Sequence, residues 1–147
     1  MGDEIAMTND WGYLDVPEHA HDSRWVHRPR MDWDAASTRD TATTPAARVF
    51  RGTRQILSRR RATPGLHSAS PTVVCDSGNA GLLCVARRAP TGTILCAFNF
   101  TETWKQLSEP WARAHGVSRM HDALSDAPVQ TFQGHIALPP YARVWLT

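Results

Sequence analysis

Residues 93–101 read Thr93-Ile94-Leu95-Cys96-Ala97-Phe98-Asn99-Phe100-Thr101. The apolar run 93–98 follows the turn signal Pro90-Thr91-Gly92 and predicts a β-strand. Working outward, Leu82-Leu83-Cys84-Val85-Ala86 and Thr72-Val73-Val74-Cys75 have the same character. Between those two runs lies Asp76-Ser77-Gly78-Asn79-Ala80-Gly81, whose Asp, Asn and Gly favour a turn. Toward the C-terminus a strand is predicted around Trp104. One or two more are predicted within 129–138, and a closing strand over Tyr141-Ala142-Arg143-Val144-Trp145-Leu146. Short strands at regular spacing point to an antiparallel β-sandwich.

Upstream of residue 66 the pattern changes. Thr44 is a good N-cap and Pro45 suits the first helical position. Ala46, Val49, Phe50, Thr53, Ile56 and Leu57 then share one stripe at helical spacing, and Pro64-Gly65 ends the element. One amphipathic helix with no partner helix must bury that stripe against something else. Residues 1–43 show no clean periodicity and are rich in Asp, His, Arg, Pro and Trp. A stretch this long without regular structure is predicted to be a functional loop.

The bulk numbers exclude several classes. A chain of 147 residues holds one ordinary domain, or a small domain plus a further piece. Its 41% hydrophobic content supports a packed core. The net charge of +2, from 16 basic and 14 acidic residues, argues against a nucleic-acid binder. Arg59-Arg60-Arg61 reads as a solvated helix end, where cations complement the helix dipole. No long apolar run predicts a membrane span, and no apolar leader segment is visible. The thiols of Cys75, Cys84 and Cys96 lack CxxC spacing and read as buried and unpaired, which points to a reducing compartment and a cytoplasmic location. Six tryptophans suit either core packing or a carbohydrate surface, with core packing favoured. Asn99-Phe100-Thr101 matches a glycosylation sequon inside a predicted strand.

Three motifs carry a resemblance to a known family. Met1-Gly2-Asp3-Glu4, followed by Asn9-Asp10 and by Asp22-Ser23-Arg24-Trp25-Val26-His27-Arg28-Pro29-Arg30, resembles one segment of amylosucrase, a sucrose-using member of the α-amylase superfamily (glycoside hydrolase family 13). Residues 95–101 resemble the Asn-Phe-Ser/Thr strand of that superfamily's C-terminal β-sandwich. Leu138-Pro139-Pro140-Tyr141-Ala142-Arg143-Val144-Trp145-Leu146 resembles its last strand. The stretch around Arg24 points to the amylosucrase branch, whereas the other two motifs are general to the superfamily.

The resemblance implies a mainly β chain. Residues 1–62 would be the C-terminal remnant of a catalytic (β/α)8 barrel, a long loop plus the last helix, and residues 63–147 a C-terminal antiparallel β-sandwich. A whole barrel needs about 250 residues. In the family, a carboxylate nucleophile takes the glucosyl unit of sucrose and passes it to an α-glucan with retention. Those carboxylates lie on earlier barrel strands, outside these residues, so the isolated chain is expected to be catalytically silent. Adjacent Asp3 and Glu4 do not offer opposed faces to a sugar ring and are not read as a catalytic pair. Arg24 matches the family arginine that lines the glucosyl subsite, since a planar cationic fork binds hydroxyls and a carboxylate together. Its carboxylate partner is expected from the barrel.

The remaining candidates are weaker. His19, His21 and His27 with Asp22 have no metal-site spacing, and no metal or other cofactor is expected. A Ser23/His/Asp triad lacks the nucleophile-elbow context. Trp25 and Trp33 are read as packing the loop, and Trp104 and Trp111 as core or edge packing rather than a sugar-stacking surface. The implied ligands are sucrose and α-glucan, with the barrel portion as a partner and neither nucleic acid nor membrane. The alternative is a non-catalytic module that binds α-glucan or completes a barrel.

Overall fold

The computed structural model describes residues 2–147, in two compact units that divide between Leu57 and Ser58. The N-terminal unit is not a bare loop. Single 3-10 turns form at Asp3–Ile5, Trp11–Asp15 and Ser23–His27, followed by a short helix α1 (Trp33–Ser37) and the first part of α2 (Pro45–Ala62). Aspartates start three of these turns by accepting from a backbone N–H ahead of them. Asp10 accepts from Gly12 N at 2.9 Å, Asp22 from Arg24 N at 3.0 Å and Asp32 from Ala35 N at 2.9 Å. Elements of three to five residues are too short to develop an apolar stripe, so their periodicity is invisible in the sequence.

Helix α2 begins as its sequence predicts, with Thr44 Oγ1 accepting from Ala47 N at 3.3 Å. Its polar side ties back to the preceding loop. The Arg51 guanidinium donates to the carbonyl of Ala42 at 2.8 Å, and Arg54 pairs with Asp40 at 2.5 Å. Arg39 and Arg54 flank the Phe50 ring at 5.0 and 5.5 Å. The predicted stripe is largely in solvent: Val49, Ile56 and Leu57 are exposed, and only Ala47 of the helix is buried.

The C-terminal unit is an antiparallel two-sheet structure. Its strands are β1 (Thr72–Cys75), β2 (Leu82–Ala89), β3 (Gly92–Asn99), β4 (Lys105–Ser108), β5 (His121–Asp122), β6 (Ala127–Pro128), β7 (Thr131–Phe132), β8 (His135–Leu138) and β9 (Arg143–Leu146). One sheet runs β1-β2-β3-β9-β5-β6 and the other β4-β8-β7. The main core joins Cys84, Ala86, Leu95, Ala97 and Leu146 of the large sheet to Leu107, Ile136 and Leu138 of the small one. The opposite face of the large sheet carries a second cluster of Leu66, Ile94, Cys96, Leu124 and Trp145. Strand β3 is therefore buried on both faces, which is why 94–98 is an unbroken apolar run instead of an alternating one.

Several details depart from the sequence reading. The closing strand begins at Arg143, because Tyr141 adopts a left-handed φ of +57° that breaks the pleat. Trp104 lies just before β4 and is exposed, as is Trp33; both were expected to pack, and neither finds a buried surface within its own unit. Of the six tryptophans, all within the described residues, only Trp145 is buried, and Trp111 packs partly against the main core. A helix α3 (Glu109–Ala114), absent from the sequence reading, follows β4. Its signals were present: Ser108 Oγ caps Trp111 N at 3.3 Å, Pro110 sits in the first turn, and Arg113 pairs with Glu109 one turn away at 2.8 Å. Arg59 is not merely solvated, since it pairs with Asp126 at 3.0 Å. Cys84 and Cys96 are buried free thiols as predicted, whereas Cys75 on the edge strand is only half-buried.

Candidate functional site

The stretch that singles out Arg24 forms one tight cluster. The turn Ser23–His27 starts on Asp22, and a two-residue reach brings the Arg24 guanidinium back over the same carboxylate. Arg24 Nε donates to Asp22 Oδ1 at 2.8 Å, and its NH2 donates to Oδ2 at 2.7 Å. This is the parallel fork that arginine makes with a carboxylate. Side-chain and backbone hydrogen bonds from Arg24 hold the Asp22 carboxyl at about 2, well below its ordinary value, and Asp22 in turn raises the pKa of Arg24. The Arg24 side chain is 76% exposed. Within this chain the guanidinium is thus paired with a carboxylate of its own loop, two residues before it, where the resemblance implies a partner from the barrel.

Trp25 organises the surroundings. The His19 ring stacks on it with centroids 3.6 Å apart, and the Arg28 guanidinium lies 5.4 Å from the ring centre. His27 Nδ1 lies 3.2 Å from Asn9 Oδ1, and Asp10 N donates to Val26 O at 2.9 Å. These contacts bring the Asn9-Asp10 and Asp22–Arg30 motifs together. They do not bring the histidines into a metal site: among the described residues no group of three His, Cys, Asp or Glu is placed to hold a metal. A cleft of 490 Å³ in the same unit is lined by Ile5, Met7, Asn9, Asp10, Arg30 and Asp32, and Arg24 is not on its wall. Asp3 and Glu4 are exposed neighbours on one turn.

Two polar residues that the sequence reading did not single out as site builders organise the C-terminal unit. Asn99, 2% exposed, donates from Nδ2 to the carbonyls of Thr103, Leu138 and Pro139 at 2.8, 3.2 and 2.8 Å. Its Oδ1 accepts from Thr101 N and Oγ1 at 2.9 and 2.8 Å. Burial takes Asn99 out of reach of glycosylation, so the sequon is a structural clamp. Buried Asp122 plays the corresponding part at the far strands. It accepts from Leu124 N and Trp145 N through Oδ1, and from Ser125 N and Oγ through Oδ2, all within 3.1 Å.

Residues 72–147, more than half of the chain, match the model of the amylosucrase C-terminal domain. The chain belongs to the amylosucrase C-terminal-domain family. Solved structures share the fold of this amylosucrase-type domain. AmyP in complex with maltose superposes with a TM-score of 0.58 at 15% identity, covering 72% of this chain and 21% of that one. The α-glucosyl transfer enzyme XgtA gives 0.55 at 22% identity, covering 76% and 19%. Trehalulose synthase MutB from Pseudomonas mesoacidophila MX-45 gives 0.53 at 21% identity, covering 69% and 19%. The amylosucrase-type chain therefore spans about a fifth of the length of these enzymes. Among its described residues no helix is long and apolar enough to cross a membrane.

Proposed function

We propose that this chain is the C-terminal part of an amylosucrase-like α-transglucosidase, which transfers glucose from sucrose to an α-glucan and releases fructose. The match of residues 72–147 to the amylosucrase C-terminal domain carries this reading. The motifs at Gly2-Asp3-Glu4 and Asp22-Ser23-Arg24-Trp25 support the same branch. In this assignment residues 1–62 complete a catalytic (β/α)8 barrel and residues 63–147 form the β-sandwich behind it. Arg24 lines the glucosyl subsite. A fork already aligned on Asp22 needs little reordering to hold a sugar hydroxyl while keeping its charge compensated. The complete enzyme would work in the cytoplasm on sucrose and α-glucan.

Retaining transfer needs a nucleophile and an acid/base carboxyl about 5–5.5 Å apart across the sugar. The family supplies both from earlier barrel strands, and no residue of this chain takes either role, so the 147-residue chain alone is silent. Purified chain incubated with sucrose is expected to release no fructose above a mock preparation; turnover would refute the assignment. Mixing it with the barrel portion of an amylosucrase is expected to restore turnover that Arg24→Ala abolishes. The exposed stripe of Val49, Ile56 and Leu57 favours this barrel-completing reading over a free-standing module. Absence of co-elution of the two portions on gel filtration would count against it.

A further inference from the structure

At one end of the sandwich the fold keeps three large aromatic rings in water. Phe100, Trp104 and Tyr141 are 68%, 67% and 61% exposed. Phe100 and Trp104 lie in the turn that leaves β3, and Tyr141 lies in the turn that enters β9. The two turns are locked to each other: Asn99 donates into both, and Tyr141 N donates to Thr101 O at 3.3 Å. Thr103, beside Trp104, is held by the same Asn99 amide. A carboxylate stands beside Tyr141, whose hydroxyl donates to Glu102 Oε1 at 3.3 Å. Phe100 leans on half-buried Phe98 with ring centroids 6.2 Å apart.

Tyr141 holds this position at a conformational cost. Its φ of +57° lies in the left-handed region that bulky side chains rarely adopt. Strain of this kind persists where the surroundings over-determine it, and it clusters at ligand-binding positions. Here the strain presents a phenol ring to solvent instead of burying it.

We propose that these two turns carry a binding site for a linear α-linked glucose polymer, built from Phe100, Trp104 and Tyr141 with the Glu102 carboxylate. A pyranose ring has apolar C–H faces and a rim of hydroxyls. Rigid exposed rings receive the faces, and a carboxylate with spare acceptor sites takes the hydroxyls. A protein partner is a poorer match, because interface centres are depleted of charge. A nucleic acid is poorer still, because Glu102 repels phosphate. Locking both turns through Asn99 prepays the ordering that binding would otherwise cost. The site holds acceptor polymer; only the choice of α-glucan over other polysaccharides rests on the amylosucrase reading.

The test is affinity electrophoresis of the full chain in gels containing glycogen, with maltoheptaose titration by calorimetry. Wild-type chain is expected to be retarded. Trp104→Ala and Tyr141→Gly are each expected to raise the dissociation constant about tenfold, which is ~1.4 kcal/mol. Tyr141→Gly removes the ring while relieving the left-handed backbone, so its thermal midpoint should not fall. Trp11→Ala and Trp33→Ala, in the other unit, should leave binding unchanged. Lack of retardation of the wild type, or retardation that survives Trp104→Ala with Tyr141→Gly, overturns the proposal. Equal retardation by a β-linked glucan overturns the choice of linkage. The fructose assay is independent of these readouts, so the two readings fail separately.

Discussion

Replacing Asn99 by alanine tests whether one buried amide holds the end of the sandwich together. The side chain makes five contacts of 2.8 to 3.2 Å: the two N–H bonds of Nδ2 reach three carbonyls, one hydrogen being shared, and Oδ1 accepts from two donors. A neutral hydrogen bond contributes about 0.5–1.5 kcal/mol net, and a buried group left unpaired costs about 1–3 kcal/mol. Only the bond to Leu138 O is fully buried, so water can recover part of the loss at the other partners. Counting roughly half of the bonds at full value gives ~3 kcal/mol for N99A. For a domain of this size that is a fall of roughly 12–24 °C in Tm. Urea unfolding followed by tryptophan fluorescence reads the change as a lower midpoint with an unchanged slope. Asn99→Asp should be worse than Asn99→Ala at pH 7, because it turns an anion toward three carbonyl oxygens. A loss below ~1 kcal/mol for N99A, or an aspartate variant as stable as wild type, would refute the clamp.

Three further outcomes are expected. The Asp22 carboxyl is depressed to about 2, so its pairing with Arg24 stays in place from neutral pH through the ordinary carboxylate range and is lost only as pH falls through about 2; carbon-detected NMR of the Asp22 carboxyl should show this, with the midpoint moving up in Arg24→Ala. Leu107→Ala, at a side chain only 1% exposed between the sheets, should cost about 3 kcal/mol in the same urea assay, and a cost under ~1 kcal/mol would place Leu107 outside the core. Burial pushes the Cys96 thiol up to about 11 and raises Cys84 as well, so at pH 8 an aromatic disulfide reagent should titrate Cys75 first and reach the other two only in denaturant.

What the sequence determined by itself is what local pattern encodes. The runs at 72–75, 82–86 and 93–98 read as strands from their apolar length and the Gly-containing turns between them, and the structure extends the last two to 82–89 and 92–99. The start of α2 follows from Thr44-Pro45, whereas the pairing of Arg24 with Asp22 of its own loop emerged only from the structure. Helix α3 was equally legible from Ser108, Glu109 and Pro110, but its six residues are too few for a periodic signal. The two-residue strands β5, β6 and β7 have no sequence signature, because their pairing depends on neighbours already in place. Tertiary structure alone placed β9 between β3 and β5. It also turned Asn99 from an apparent sequon into a clamp on carbonyls 39 and 40 positions away. The aromatic surface of Phe100, Trp104 and Tyr141 belongs to the same class. A tryptophan's preference for burial is a property of its side chain, but whether a surface exists to bury it depends on which distant segments the fold brings alongside.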